Sequence, residues 1–218
     1  MLLCVRWYLA SNLSFRNLEG MIAERGISVD HATIHRWVVR YAPEHLKRFN
    51  SRKCPATGRW LIDETNIKVP GRWLYLYRAI DRNGDTVEFW FSKRCNLDAA
   101  KRFLRKALKR HGRPERIVID GSQTNREAIL SCDTTDRLQN RSRRPPEPIR
   151  IRQSAYLNNR IKQDHRVIKR RVRPMLGFQS VSTARGVIEM IHMMRKQQAK
   201  CAYNPQPSLA DQFDLLAA

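Results

Sequence analysis

This chain is short of acids. Aspartate and glutamate number 20 against 42 lysines and arginines in 218 residues, a formal net charge of +22. Such an imbalance predicts a polyanionic partner, most simply DNA or RNA. Cysteine is also scarce. Cys4, Cys54, Cys95, Cys132 and Cys201 are scattered, odd in number and without a C-x-x-C pair. That argues against a disulfide framework and against a zinc site, and it fits a reducing cytoplasm. Long apolar runs are missing. None approaches the ~18 residues of a membrane span, so no membrane partner is expected. The opening Met1-Leu2-Leu3-Cys4-Val5 is too short for a signal sequence and meets Arg6 at once. What remains is length enough for one sizeable core and a small accessory module.

The first 43 residues predict short helices. Residues 2–10 form one. Ser14 can cap a second, with Phe15, Leu18 and Ile22 on one face and Gly26 ending it. Asp30 can cap a third, with Ile34, Trp37, Val38 and Tyr41 in register, and Pro43 is expected to close it. Two amphipathic helices around a glycine-containing turn make a helix-turn-helix pattern. Its second helix would offer His31, Thr33, His35, Arg36 and, further on, Arg40 to a DNA groove. An ordinary helical hairpin has the same pattern; the charge favours DNA docking. Residues 44–58, polar and without a period, read as a linker.

From Arg59 the pattern changes. Arg59 to Val69 and Trp73 to Ile80 read as strands around Pro70-Gly71. Asn83-Gly84 signals a hairpin turn into a third strand, Thr86 to Phe91. Asn96 or Asp98 can start a helix with Phe103, Leu104, Ala107 and Leu108 inward, and its basic face reads as solvated surface. Gly112 ends it. A fourth strand, Arg116 to Ile119, exits at Asp120, and a short helix through Arg126, Ala128 and Ile129 follows. Residues 132–148 read as a mobile insertion, and Ile149 to Arg152 as a short strand. A basic helix is expected from about Asn158 to Arg173. Between Arg137 and Arg173 stand 13 basic residues and two acids. Arg160, Arg166, Lys169, Arg170, Arg171 and Arg173 are therefore the candidate DNA-backbone surface. A last helix is expected from about Ser182 to Gln198, with Val187, Ile188, Ile191 and Met194 inward. The tail from Pro205 is expected to be disordered.

The chemistry rests on two carboxylates. Asp63 sits inside an apolar strand, where a carboxylate is costly unless a cation meets it. Asp120 ends another apolar strand. Those two strands can lie side by side, which would bring the acids together. Carboxylate pairs attract hard divalent ions, and two such ions can activate the attacking and stabilise the leaving oxygen at phosphorus. In a protein this basic, the pair points to metal-assisted phosphoryl transfer on nucleic acid.

Asp63-Glu64-Thr65, the run Gly71 to Ala79, Ile119-Asp120-Gly121-Ser122, Tyr156-Leu157-Asn158-Asn159, Gln163-Asp164-His165-Arg166 and Arg173 to Phe178 together resemble the DDE transposases of bacterial insertion sequences. The match is to the insertion-sequence-six family, over residues 5–198. The resemblance implies an α/β fold: a ribonuclease-H-like catalytic core, a mixed five-stranded sheet with flanking helices, over residues 59–198. Ahead of it would stand a helix-turn-helix at 1–43 and a linker at 44–58; residues 199–218 would form a C-terminal tail. It implies Mg²⁺- or Mn²⁺-dependent cleavage and strand transfer of double-stranded DNA at terminal inverted repeats and target DNA. It further implies a homodimer and a location with the bacterial nucleoid in the cytoplasm. Asp63 and Asp120 would be the first two catalytic, metal-binding acids.

The third position departs from the family. Three residues after Leu157-Asn158-Asn159 the family has an acid; here it is Lys162. A lysine has three donors and no lone pair for a metal. Asp164, two residues on, would point to nearly the opposite helix face. By the family's standard the chain also starts late, trimming the first helix. Three readings stay open: a strand transferase, impaired by Lys162; a catalytically silent DNA-binding remnant acting as a repressor; and an RNA-binding structural protein.

Overall fold

The computed structural model describes the chain except residues 1, 12, 54, 57, 70, 71, 141–145, 155, 173–180, 182, 183, 185, 190–195, 197–207 and 218. Of the described residues, side chains are left aside at 9, 10, 52, 69, 171, 172, 209 and 215–217. The described residues fall into two compact units. One holds residues 1–54, 69–72 and 167–218, the other 55–68 and 73–166.

The first unit opens with α1 (Leu2–Ala10), α2 (Phe15–Ala23) and α3 (His31–Arg52). Ser14 caps α2 by accepting from Asn17 N at 3.1 Å. The helix ends as expected at Gly26. There Gly26 N donates to Ala23 O, Ile27 N donates back to Ile22 O, and the glycine adopts φ +74°. Asp30 caps α3 through Ala32 N at 3.2 Å. Pro43 does not close α3 but lies inside it. An internal proline forfeits one backbone hydrogen bond and costs about 3 kcal/mol. Ile34, Val38, Ala42, His45 and Phe49 offset that cost, because they form one buried stripe at helical spacing through the proline. Pro43 and Val39, whose carbonyl loses its donor, are on the exposed side. Residues 44–52, read as linker, are thus helical. Tyr8 stacks on Phe15 at 4.4 Å, fixing α1 against the start of α2.

The second unit is built on one sheet. Its strands are β1 (Arg59–Val69), β2 (Arg72–Asp81), β3 (Thr86–Ser92), β4 (Arg116–Ile119) and β5 (Arg150–Gln153). The order is β3-β2-β1-β4-β5. β2 and β3 pair antiparallel, whereas β1–β4 and β4–β5 pair parallel, so the sheet is mixed. The Pro70-Gly71 turn lies outside the described residues. At the second turn Gly84 has φ +89°, and Asp81 Oδ1 accepts from Asn83 N and Asp85 N.

One face of the sheet is covered by α4 (Leu97–His111) and α5 (Gln123–Gln139). Trp60, Ile62, Tyr77 and Ala79 from the strands join Phe103, Leu104, Ala128 and Ile129 there in one core. The other face carries Leu61, Ile80 and Val118, packed with Ile161 of α6 (Asn159–Val172). Strand alternation explains the division: neighbours in β1 serve opposite faces.

α5 is longer than the sequence suggested. Residues 132–139 continue it, and of the expected mobile insertion 141–145 lie outside the described residues. The continuation is anchored by Cys132 and Asp133, both buried. Asp133 pairs with Arg113, which also bonds Asp136 at 3.1 Å and Glu147 O at 2.8 Å. Of the last predicted helix, Val181, Ala184 and 186–189 are helical; Ile191 and Met194 lie outside the described residues. The tail is not wholly irregular, for α7 spans Leu209–Ala217. Ser208 N and Asp211 Oδ2, and Asp211 N and Ser208 Oγ, bond reciprocally as a capping box. Phe213 is buried against the His45 ring at 4.7 Å.

Candidate functional site

Parallel pairing sets the site. Leu61 of β1 is opposite Val118 of β4, so two steps on Asp63 stands level with Asp120 just past the end of β4. Asp120 turns the chain toward α5 by accepting from Ser122 N at 3.0 Å, and Ser122 caps that helix. Asp63 is only 5% exposed. Burial pushes its carboxyl up to about 7, and the charges of Asp120 and Glu64 push in the same direction. A backbone hydrogen bond from Glu64 and the ammonium of Lys162 oppose the rise. Lys162 is thus near enough for its charge to act on Asp63.

Glu64 serves the opposite face of β1. Its Oε2 accepts from Asn125 Nδ2 of α5 at 2.9 Å. Burial raises its carboxyl, the Asn125 bond lowers it, and Asp120 raises it. Asp120 thus acts on an acid on each face.

Several polar contacts seat the start of α6. The buried Asn158 donates to Ile62 O at 3.3 Å. Arg160 donates to Arg82 O at 2.7 Å and also to Asn83 O in the β2–β3 turn. Asp164 accepts from Arg78 at 3.2 Å, and His165 Nδ1 lies 3.7 Å from Asp63 Oδ2. Arg78 is fully buried in β2. Burial lowers its guanidinium to about 10, against the pull of Asp164 and Asp63, so it stays charged at neutral pH. It also lies over the ring of Phe89, its cross-strand partner, at 4.8 Å.

The arrangement brings Asp63, Asp120 and Lys162 together and adds Arg78, Asp164 and His165, which the sequence reading left out of the site. One signal for them was present: an arginine inside the apolar run Tyr77-Arg78-Ala79-Ile80 demands an acid partner once buried. Asp164 is held by the buried Arg78 at 3.2 Å.

The candidate DNA contacts separate. Arg36 and Arg40 are exposed on α3, although Arg36 also donates to Thr33 Oγ1 at 2.8 Å. His31 is occupied by Asp30 at 2.8 Å and Glu19 at 3.1 Å. His35 packs edge-on to Phe15 at 5.2 Å, and burial lowers its imidazole. On α6, Arg166, Lys169 and Arg170 are exposed, whereas Arg160 is committed to the turn. The side chain of Arg171 is left aside, and Arg173 lies outside the described residues.

Comparison with known proteins gives the family. A family model described as a DDE domain matches residues 57–200. The transposase for insertion sequence-like element IS431mec of Staphylococcus aureus is 35% identical over 199 residues, 90% of this chain and 84% of its own. The transposase for insertion sequence element IS257 in transposon Tn4003, also from Staphylococcus aureus, is 34% identical over the same shares. Among solved structures, the HTLV-2 integrase catalytic core domain in complex with magnesium (dimeric form) aligns with TM-score 0.46 at 13% identity, over 74% of this chain and 99% of that one. The chain belongs to the DDE transposases of the insertion-sequence-six type. No helix among the described residues is long and apolar enough to cross a membrane.

Proposed function

We propose that this chain is a transposase that holds the terminal inverted repeats of its insertion sequence but whose strand-transfer chemistry is disabled by Lys162. The observation that carries the reading is a lysine, Lys162, where the family has an acid, on the helix whose His165 lies 3.7 Å from the buried Asp63. In this reading the sheet unit is a ribonuclease-H-like core, which the order β3-β2-β1-β4-β5 supports. Asp63 and Asp120 are the two retained acids of its centre. α2 and α3 act as a helix-turn-helix with Arg36 and Arg40 toward duplex DNA, and Arg166, Lys169 and Arg170 add backbone contacts. Two copies would pair two element ends.

Mg²⁺ or Mn²⁺ does not fit the donor set as it stands. Hard divalent ions need several oxygen ligands. Here the third place holds a positive charge with no lone pair. No catalytic step is therefore assigned to a metal in this chain. The protein is left with DNA-end binding, through which it would occupy the repeats or enter mixed oligomers as a repressor of active copies.

The test is a strand-transfer assay with Mg²⁺ and DNA carrying the element's terminal repeats, on the parent and on Lys162→Glu. Joining by the Glu variant alone supports the reading. Joining by the parent sinks it, because another group must then supply the third ligand.

A further inference from the structure

We infer that α4 carries a second DNA-backbone surface, separate from the one on the Asp63 side of the sheet. The inference rests on the DNA-binding reading above and concerns a face that reading does not use.

Between Lys93 and Arg113 stand nine basic residues and one acid, Asp98. Three of the lysines and arginines are neutralised within the fold. Glu88, fully buried in β3, takes Lys106 at 2.8 Å and Arg110 at 3.3 Å, with His111 at 3.5 Å. Arg113 is tied to Asp133 and Asp136. The outward row is different. Arg102, Arg105 and Lys109 are exposed at i, i+3 and i+7, one stripe along the helix. Among the described residues no carboxylate forms an ion pair with any of them. Arg105 acts on the Cys132 thiol, lowering its pKa against the rise that burial causes.

The row connects two concavities. One, of about 660 Å³, lies between α4 and α5 and is lined by Arg105, Lys109 and Arg113; its one acid, Asp136, is the partner of Arg113. The other, of about 340 Å³, is lined by Lys93, Arg94 and Arg102 beside Trp90, with Asp98 as its one acid. The result is a basic track along the helix. Cations spaced one helical turn apart repel one another unless an external anion sits over them.

Position decides which anion. α4 packs on the sheet face holding Trp60 and Ile62, and Ile161 of α6 packs on the face holding Leu61. A duplex lying over Asp63 and α6 is separated from the α4 row by the sheet and by α4 itself. The track suits the sugar-phosphate backbone of another duplex segment, bound without regard to sequence, because lysine and arginine rows read phosphate and not bases.

The experiment measures binding of the full chain to a generic duplex lacking terminal repeats, across a range of salt, for the parent and for Arg102→Gln/Arg105→Gln/Lys109→Gln. Each lost phosphate contact removes about 0.9 from the slope of log K against log salt. The expected result is a slope shallower by about 2.7 and, at 0.1 M salt, affinity weaker on the order of a hundredfold. Binding to terminal-repeat DNA at matched salt should fall less. Arg36→Gln/Arg40→Gln serves as the reciprocal control, reducing terminal-repeat binding first. An unchanged slope in the triple variant, with the parent binding duplex, overturns the α4 surface and leaves the end-binding reading intact. A change of self-association with no change of slope also overturns it, assigning the row to a protein contact. Failure of the parent to bind any duplex overturns both.

Discussion

Replacing Lys162 by Glu should turn a protein indifferent to divalent metal into one stabilised by it. In the parent the ammonium offsets part of the repulsion among Asp63, Asp120 and Glu64. Unit charges at an effective dielectric of about 20 interact by about 4 kcal/mol at about 4 Å and by about half that at twice the separation. Lys162 is exposed, so solvent screening reduces the effect of the swap to about 1 kcal/mol. For a chain of this length that is a fall in melting temperature of about 2–4 °C in EDTA. Metal should reverse the sign. A cation at a hundred times its Kd contributes about 2.7 kcal/mol, enough to carry the Glu variant above the parent. Circular-dichroism melts of parent, Lys162→Gln and Lys162→Glu, in EDTA and in Mn²⁺, read this directly. The Gln variant should fall between the other two in EDTA and gain little from metal. If Mn²⁺ raises the parent's melting temperature as much as the Glu variant's, the lysine does not exclude the cation and the argument from charge fails.

Three further outcomes follow from groups already described. Asp63 carries its proton up to about 7 in the folded chain against an ordinary 3.8. The folded state therefore holds the extra proton, and stability falls as pH rises between those values. Asp63→Asn should remove that slope, stabilising the protein more at pH 8 than at pH 5 in urea titrations. Glu88 behaves oppositely: although burial alone would raise its carboxyl, His111 and Lys106 hold it below the ordinary 4.5. The stability it contributes is present above that value and lost as pH falls below it; Glu88→Gln should cost about 3–5 kcal/mol at pH 7 by leaving cations facing a neutral group. Gly84→Ala should lower the melting temperature, because φ is +89° and a Cβ there would stand 2.7 Å from Arg160 Nε. Adding Arg160→Ala should recover the steric part of the loss and leave the backbone part.

The strands, their order-setting turns and the meeting of Asp63 with Asp120 were legible because each had a local signature: apolar runs, Asn83-Gly84, an acid at a strand end. The caps at Ser14, Asp30 and Asn96 were legible for the same reason. What escaped was decided by tertiary burial. Pro43 looks like a stop until the stripe from Ile34 to Phe49 is seen to be buried through it. The end of α5 looks polar until Arg113 fixes Asp133. Arg78 reads as a surface residue until Asp164, 86 positions away, is found beside it. Lys106 and Arg110 belong to a basic face in sequence, but Glu88 draws them inward.

The seat of α6 is made by Asn158, Arg160, Ile161 and Asp164, and none of these contacts passes through Lys162. The lysine can therefore change without disturbing the surface that presents it. Lysine and glutamate codons differ by one purine, adenine or guanine, in the first base. A chain that keeps this helix docked stays a single transition mutation away from an acid at position 162, so the silencing proposed above could be reversed without rebuilding the fold.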